Sequence, residues 1–306
     1  MYKRFFGLKE NPFNVNPDPR FLFQTRDSQE AFACLTYGVE RRRGFILLSG
    51  EVGTGKTTII NKFLEHLRGE RVATAFIFNP RLSVNQFLNF MLADFGIPCE
   101  THMKGQVLLQ LNQWLLERYR AGETAVLIVD EAQNLSMEVL EEIRLLTNLE
   151  TSTEKLLQIV LSGQPELDAL LKQPSLRQLR QRITLRCRMG PLTLDDTRGY
   201  ISERLRIAGA HGDSIFNPEA TEAVFRYSGG IPRVINLLCE HALITAFAEE
   251  QKPVLASTIQ SVAHEFELDR PVGTSVQPLV GGNGSSQIVD SLQNLGQLMD
   301  RMRKSS

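Results

Sequence analysis

Residues 50–57 read Gly-Glu-Val-Gly-Thr-Gly-Lys-Thr, and these residue types at this spacing have one obvious chemistry. Gly53 and Gly55 let the backbone curl around an anion without a Cβ in the way. The N–H groups of such a turn, with the helix N-terminus behind it, converge on a single phosphate position. Lys56 supplies a mobile cation for β- and γ-phosphates, and the Thr57 hydroxyl can ligate Mg²⁺. Gly50, Glu51, Val52, Thr54 and Thr58 complete the candidate nucleotide-binding stretch. The flanks suit it. An apolar run, Phe45-Ile46-Leu47-Leu48, predicts a strand before the turn, and Ile60, Phe63, Leu64 and Leu67 recur at helical spacing after it. The pattern predicts nucleoside triphosphate binding.

A second constellation lies 73 positions beyond Thr57, where Ala125-Val126-Leu127-Ile128-Val129 runs into Asp130-Glu131. Such a run predicts a buried strand that carries Asp130 to the shell of a bound cation. The adjacent Glu131 is then placed to act as general base toward the attacking water. With Lys56, it forms the candidate hydrolytic pair, and Thr57 with Asp130 the candidate metal ligands.

The elements around these residues alternate between strand and helix. Strands are predicted at Val72–Phe78, Leu156–Leu161 and Ile183–Met189, and helices at Ser28–Glu40, Val84–Phe95, Val107–Tyr119, Met137–Leu149 and Pro165–Lys172. Several strands are apolar on both faces, which predicts an α/β fold with a parallel sheet flanked by helices. Three prolines in Pro12–Pro19 predict an extended N-terminal strap. Past Pro191 only helical patterns remain, with capping boxes at Thr193-x-x-Asp196 and Ser257-x-x-Gln260 and a cap with following proline at Asn217-Pro218. The predicted organisation is an α/β nucleotide-binding domain with its strap over 1–191 and an all-α lid over 192–268. A flexible linker follows over 269–286, then a short amphipathic helix over 287–306 whose apolar seam (Ile288, Leu292, Leu295, Met299, Met302) needs a partner helix.

Composition narrows the rest. The 306 residues carry a net charge of −1, so no global pull toward nucleic acid or a membrane surface arises. Four scattered cysteines, Cys34, Cys99, Cys187 and Cys239, form no zinc or disulfide spacing. No apolar run reaches the length of a membrane span, and charge interrupts the first ten residues too early for a signal peptide. The chain reads as cytoplasmic. Arg41-Arg42-Arg43 reads as a solvated helix end.

The chain resembles the AAA+ ATPases, and within them the ExeA/GspA family of bacterial secretion-associated ATPases. The resemblance spans roughly residues 1–268. It rests on Phe6-Gly7-Leu8-x-x-Asn11-Pro12-Phe13, Pro17-Asp18-Pro19-Arg20-Phe21-Leu22 and Gly38-x-Glu40-x-x-x-Gly44-Phe45. Further motifs are Asp130-Glu131-Ala132-Gln133-Asn134-Leu135, Leu146-x-Asn148-Leu149-Glu150-Thr151, Gly163-Gln164-Pro165-Glu166-Leu167, Leu179-x-Gln181-Arg182-Ile183 and Gly229-Gly230-Ile231-Pro232-Arg233-x-Ile235-Asn236. A more distant similarity is to transposition regulators of the TnsC/TniB type.

The resemblance implies ATP and Mg²⁺ as the bound species and a homo-oligomer, ring or filament, as the working form. It implies an arginine finger at Arg182, with Arg180 the substitute; its charge and forked donors suit a neighbour's γ-phosphate. It implies sensor roles for Arg233 and Gln164, and it offers Asn79 as the residue that holds Glu131 in an inactive pose. Phe13 and Phe21 are placed either against adenine or in the core. The implied partner belongs to an envelope, secretion or polysaccharide-export system, reached at the inner membrane through that partner. Fuller members of the resembled family carry a membrane span and a peptidoglycan-binding domain after the ATPase, which puts a direct grip on the cell wall in doubt here. The alternative partner is duplex DNA, for which the Arg186/Arg188 alternation, with Arg177 and Arg180, is the supporting feature.

Overall fold

A computed structural model describes residues 1–78, 81–98, 103–210 and 214–268. Five strands form one sheet: β1 (Phe45–Gly50), β2 (Val72–Ile77), β3 (Thr124–Val129), β4 (Leu157–Gly163) and β5 (Leu185–Met189). Their order is β2-β3-β4-β1-β5, and every pairing is parallel. Twelve α-helices surround or follow them among the described residues. In chain order α1 to α6 are Tyr2–Phe6, Arg26–Glu40, Lys56–Leu67, Val84–Asp94, Lys104–Arg120 and Met137–Leu146. Then α7 to α12 are Pro165–Leu171, Arg177–Arg182, Leu194–Ile207, Pro218–Ser228, Pro232–Ala248 and Ala256–Glu265.

Strand alternation divides the sheet between two cores. Phe45, Leu47, Leu127, Val129, Ile159 and Leu161 face the helices α4–α7 and pack on Phe87, Met91, Leu111, Leu140 and Leu167. Ile46, Leu48, Val126, Ile128 and Val160 face the other way, onto Leu35 and Val39 of α2 and Ile59, Ile60 and Phe63 of α3. The three central strands are therefore apolar on both faces. Edge strand β5 instead alternates, with Arg186 and Arg188 exposed. A parallel sheet sandwiched between helices is the fold that the sequence predicts.

The helical part has its own core, in which Val224, Ile235, Leu238, Ala242, Leu243 and Ile259 are fully buried. The N-terminal strap contributes to it. Phe6, Leu8 and Phe13 lie in this core rather than against the sheet, and Phe13 meets Phe216 edge to face at 6.0 Å.

Local signals mostly act as expected. Thr193 and Asp196 form a reciprocal capping box, and Asn217 caps α10 with Pro218 at its first position. Four expectations need correction. The Ser257 capping box does not form: α12 starts at Ala256 after an uncapped Leu255. The reason is upstream, where Val254 bridges to Phe216 and delivers an extended chain that turns helical before Ser257. The strap is not extended throughout, since Asp18 accepts from the Arg20 N–H and starts a 3₁₀ turn at Pro19–Phe21. The helix α8 occupies the stretch before β5, for which the pattern predicts no element, and that strand begins at Leu185 rather than Ile183. Arg42 is not a solvated helix end, because its guanidinium lies over the Tyr119 ring and donates to the Glu123 carbonyl.

The expected linker and amphipathic helix over 269–306 lie outside the described residues, as does Cys99; Cys34, Cys187 and Cys239 are free thiols. Among the described residues no helix is long and apolar enough to cross a membrane.

Phe13 shows 0 % of its surface, so removing its ring leaves a cavity in the helical core. Phe13→Ala should cost about 3–5 kcal/mol of stability, the usual range for a buried phenylalanine. Urea unfolding measures it, and a loss below about 1 kcal/mol would mean that the strap is not part of that core.

Candidate nucleotide site

The turn after β1 is built as its glycines require. Gly53 and Gly55 have φ of 79° and 96°, and Gly55 caps the start of α3. Lys56 opens that helix and is buried, with 5 % of its surface exposed. Its Nζ donates to the carbonyls of Gly50 (2.8 Å) and Glu51 (3.0 Å). Thr54 ties the same turn by donating from Oγ1 to the Glu51 carbonyl at 2.8 Å. Burial lowers the Lys56 pKa from its ordinary value, and the carboxylates of Glu131, Asp130, Glu51 and Glu166 oppose the shift.

The parallel register brings β3 and β4 to the same edge. Asp130 follows β3 directly and is 3 % exposed. Its Oδ2 accepts from the Thr57 hydroxyl at 2.7 Å, and its Oδ1 from the Glu131 N–H at 3.0 Å. A hydroxyl and a carboxylate oxygen side by side are the hard donors that Mg²⁺ prefers. Among the described residues no group of three or more His, Cys, Asp or Glu could hold a metal. A cation here would therefore take its remaining oxygens from phosphate and water. Glu131 stands in the left-handed region, at φ 53° and ψ 38°, a conformation unfavourable for any residue with a Cβ. Its Oε2 accepts from Gln164 Nε2 at 2.8 Å and from Gln133 Nε2 at 2.5 Å.

The cavity above this floor has a volume of about 330 Å³. The turn from Val52 to Thr58 lines it, with Glu131, the strap from Val15 to Phe23, and Tyr200, Arg204, Arg233 and Asn236 from the lid. Helix α11 reaches the turn through its backbone: the Arg233 N–H donates to the Gly53 carbonyl at 3.2 Å. A Cβ on Gly53 would come within 2.6 Å of the Arg233 Cβ, so only glycine permits that approach. On the opposite wall Arg204, 6 % exposed, lies 4.5 Å above the Phe21 ring. It donates to the carbonyls of Pro12 (2.5 Å) and Asn14 (3.3 Å) and to the Tyr200 hydroxyl (2.8 Å). The Tyr200 hydroxyl in turn donates to Asn236 Oδ1 at 2.8 Å. Burial raises the Tyr200 pKa, against the opposing Arg204 charge.

Val52, Gly53, Thr54, Gly55, Lys56, Thr57, Thr58, Glu131 and Arg233 line the cavity, and Gly50, Glu51, Asp130 and Gln164 join them through hydrogen bonds to Lys56, Thr57 and Glu131. Phe21 lines the cavity, whereas Phe13 belongs to the core. Arg182 is elsewhere, exposed at the last position of α8. Leu185 pairs with Ile46 at the start of β1, while Met189 pairs with Gly50 beside the turn. Four strand steps, roughly 13 Å, plus the connection from α8 separate Arg182 from its own phosphate turn. Arg180 is exposed on the same short helix. Asn79 lies outside the described residues. Sequence reasoning missed Gln133, Tyr200, Arg204 and Asn236. Gln133 stands two positions after Glu131 and was legible there, but the lid residues carry no spacing that points to a cavity.

A parallel sheet with a phosphate-type turn after β1, an acidic pair after β3 and a helical lid over the cleft defines the P-loop fold of the AAA+ class. Residues 39–171 match the AAA domain family. The chain is 45 % identical over 275 residues to the general secretion pathway protein A of Aeromonas hydrophila, covering 90 % of this chain and 50 % of that protein. It thus spans about half the length of that relative. Among solved structures, the ORC2 protein of Aeropyrum pernix matches with a TM-score of 0.62 at 16 % identity, over 88 % of this chain and 73 % of that one. Cdc6p of Pyrobaculum aerophilum matches with a TM-score of 0.65 at 17 % identity, over 84 % and 72 %. At these identities the two structures show the fold alone. The chain thus has the fold of the AAA+ class, carries a match to the AAA domain family over residues 39–171, and is similar over 90 % of its length to the general secretion pathway protein A.

Gly53→Ala should strain the turn and push α11 away. Nucleotide affinity should fall about ten-fold or more, whereas Gly69→Ala, with open space around it, should leave affinity unchanged. Titration of a fluorescent nucleotide analogue reads both, and equal affinities would remove the close lid contact from the site. The lowered Lys56 pKa has a sign as well. The charged amine that phosphate needs is lost as pH rises, so affinity should begin to fall below the ordinary lysine value of 10.5. A binding constant flat up to that pH would contradict it.

Proposed function

We propose that the chain is a Mg²⁺-dependent ATPase that assembles with copies of itself through the nucleotide site and acts on a secretion or polysaccharide-export partner. The observation that carries the catalytic reading is the contact of Thr57 with Asp130, on a floor that also holds Lys56 and Glu131. Thr57 and Asp130 would hold Mg²⁺, which when bound neutralises charge on the phosphates. Lys56 can turn from the two turn carbonyls to β- and γ-phosphate oxygens. Glu131 orients water for in-line attack: the water oxygen bonds to the γ-phosphorus and the bond to the β–γ bridging oxygen breaks. The water proton passes to the Glu131 carboxylate. Gln164 reaches the same carboxylate, and Arg233 borders the cavity from the lid.

The place of Arg182 supports self-assembly. An arginine that stabilises the transition state cannot come from Arg182 of the same copy, because Arg182 sits beyond the far edge of the sheet. A neighbouring copy can supply it. The secretion reading rests on the kinship with the general secretion pathway protein A. The DNA alternative leans on Arg186 and Arg188, both exposed on β5, though Arg186 stands 3.6 Å from the Asp168 carboxylate. Stimulation of turnover by duplex DNA at a stated salt concentration would favour that alternative.

Lys56→Ala should weaken nucleotide binding about 10–100-fold, while Glu131→Gln should bind normally and lose about 10²–10⁴ in turnover. Wild-type turnover by Glu131→Gln would remove Glu131 from the base role. Arg182→Ala should bind ATP yet lose about 10³–10⁵ in rate, the range for finger arginines. Mixing it with Lys56→Ala should restore part of the activity, since the intact turn of one copy meets the intact arginine of the other. Activity independent of protein concentration, with no recovery from two folded variants that co-assemble, would leave a self-sufficient monomer.

A further inference from the structure

Gln133 makes more of the acidic corner than a filler would need. Its Nε2 donates to Glu131 Oε2 at 2.5 Å, and its Oε1 accepts from the Gln164 N–H at 3.1 Å. That N–H belongs to the residue that caps α7, and the Gln164 side chain returns to the same Glu131 oxygen at 2.8 Å. An amide donates from one end and accepts at the other without carrying charge. The approach is tight, because a Cβ on Gly163 would stand 3.0 Å from Gln133 Oε1 and 2.6 Å from Leu167 Cδ2. The 3₁₀ turn Ala132–Asn134, anchored by the fully buried Ala132, folds Gln133 back onto the residue two before it.

Both amide donors meet Oε2. The other Glu131 oxygen has no protein partner among the described residues, and Glu131 lines the cavity. A carboxylate pinned by one oxygen keeps a fixed direction while the other oxygen stays able to take a proton.

We propose that Gln133 is a positioning residue for hydrolysis: it aims Glu131 at the attacking water and ties that aim to the cap of α7. This rests on the ATPase reading above. The helix α7 leads into α8, which ends at Arg182, so the same amide also joins the base to the segment that carries the candidate finger.

The test compares Gln133→Ala and the isosteric Gln133→Glu with wild type, each alone and combined with Glu131→Gln. Steady-state phosphate release and binding of a fluorescent ATP analogue are the readouts. Both single variants should lose about 10–100-fold in kcat, the worth of one hydrogen bond to a charged group, with nucleotide affinity within about two-fold of wild type. In the Glu131→Gln background either change should alter the residual rate less than about two-fold, because the group being aimed is gone. Gln133→Glu decides the matter if the alanine variant fails to fold: it keeps the volume and the acceptor, loses the donor and sets a second carboxylate against Glu131, so the aim is lost on both counts. Wild-type turnover by Gln133→Glu would reduce Gln133 to space filling and overturn the proposal. So would an equal loss of affinity and rate, a full further loss in the Glu131→Gln background, or a gain in turnover, which would mean that the amide restrains Glu131. If Glu131→Gln itself hydrolyses ATP as wild type does, the ATPase mechanism fails first. If Glu131→Gln is inactive and only the Gln133 variants are normal, this proposal fails alone.

Discussion

A carboxylate at the end of a buried strand must find partners for both oxygens or raise the cost of folding. Asp130 finds them in two different elements, the Thr57 hydroxyl in the first turn of α3 and the Glu131 N–H just beyond β3. The first bond fixes the phosphate turn against the neighbouring strands. The second helps hold the chain in the left-handed turn that swings Glu131 toward the cavity. Two parts of the candidate site from distant sequence are thereby set by one acid. Its position in turn depends on the all-parallel register, which brings the ends of β1, β3 and β4 to one edge.

That register is stable because the two cores load it evenly. The odd-numbered positions of β1, β3 and β4 fill one layer and the even-numbered positions the other, so a one-residue slip would move every apolar side chain to the wrong face. The same slip at β5 would turn Arg186 and Arg188 inward in place of Leu185, Cys187 and Met189. Register is thus fixed at this edge by its alternation as well as in the central strands that carry the candidate site.

The strands, the phosphate turn and the acidic pair were legible because each is written in consecutive residues: an apolar run, a glycine spacing, two acids after five aliphatics. The helix α8 and the true start of α12 were not. Arg177–Arg182 has a single fully buried position, Leu179, too little for a helical period, and α12 is set by the bridge between Phe216 and Val254. The cavity walls were hidden for the same reason. Arg204 matters through the carbonyls of Pro12 and Asn14, about 190 residues away in sequence, and no local pattern encodes such a contact. Gln133 is the intermediate case, since its place two after Glu131 was visible but its double hydrogen bond was not.

The lid is the common partner of the two walls that a nucleotide would touch. It meets the phosphate turn by a backbone bond from Arg233 to Gly53, and it holds the strap by Arg204 on Phe21, Pro12 and Asn14. A buried guanidinium with carbonyl and ring partners, and no carboxylate in contact among the described residues, is not a surface ion pair that salt can screen away. It is a fixed link whose loss leaves a buried charge without partners. The strap therefore cannot open without disturbing α9, and α9 shares the helical core with α11. Phosphate turn, lid and strap are thus tied to one another around the cavity, although they enter it from opposite ends of the sequence.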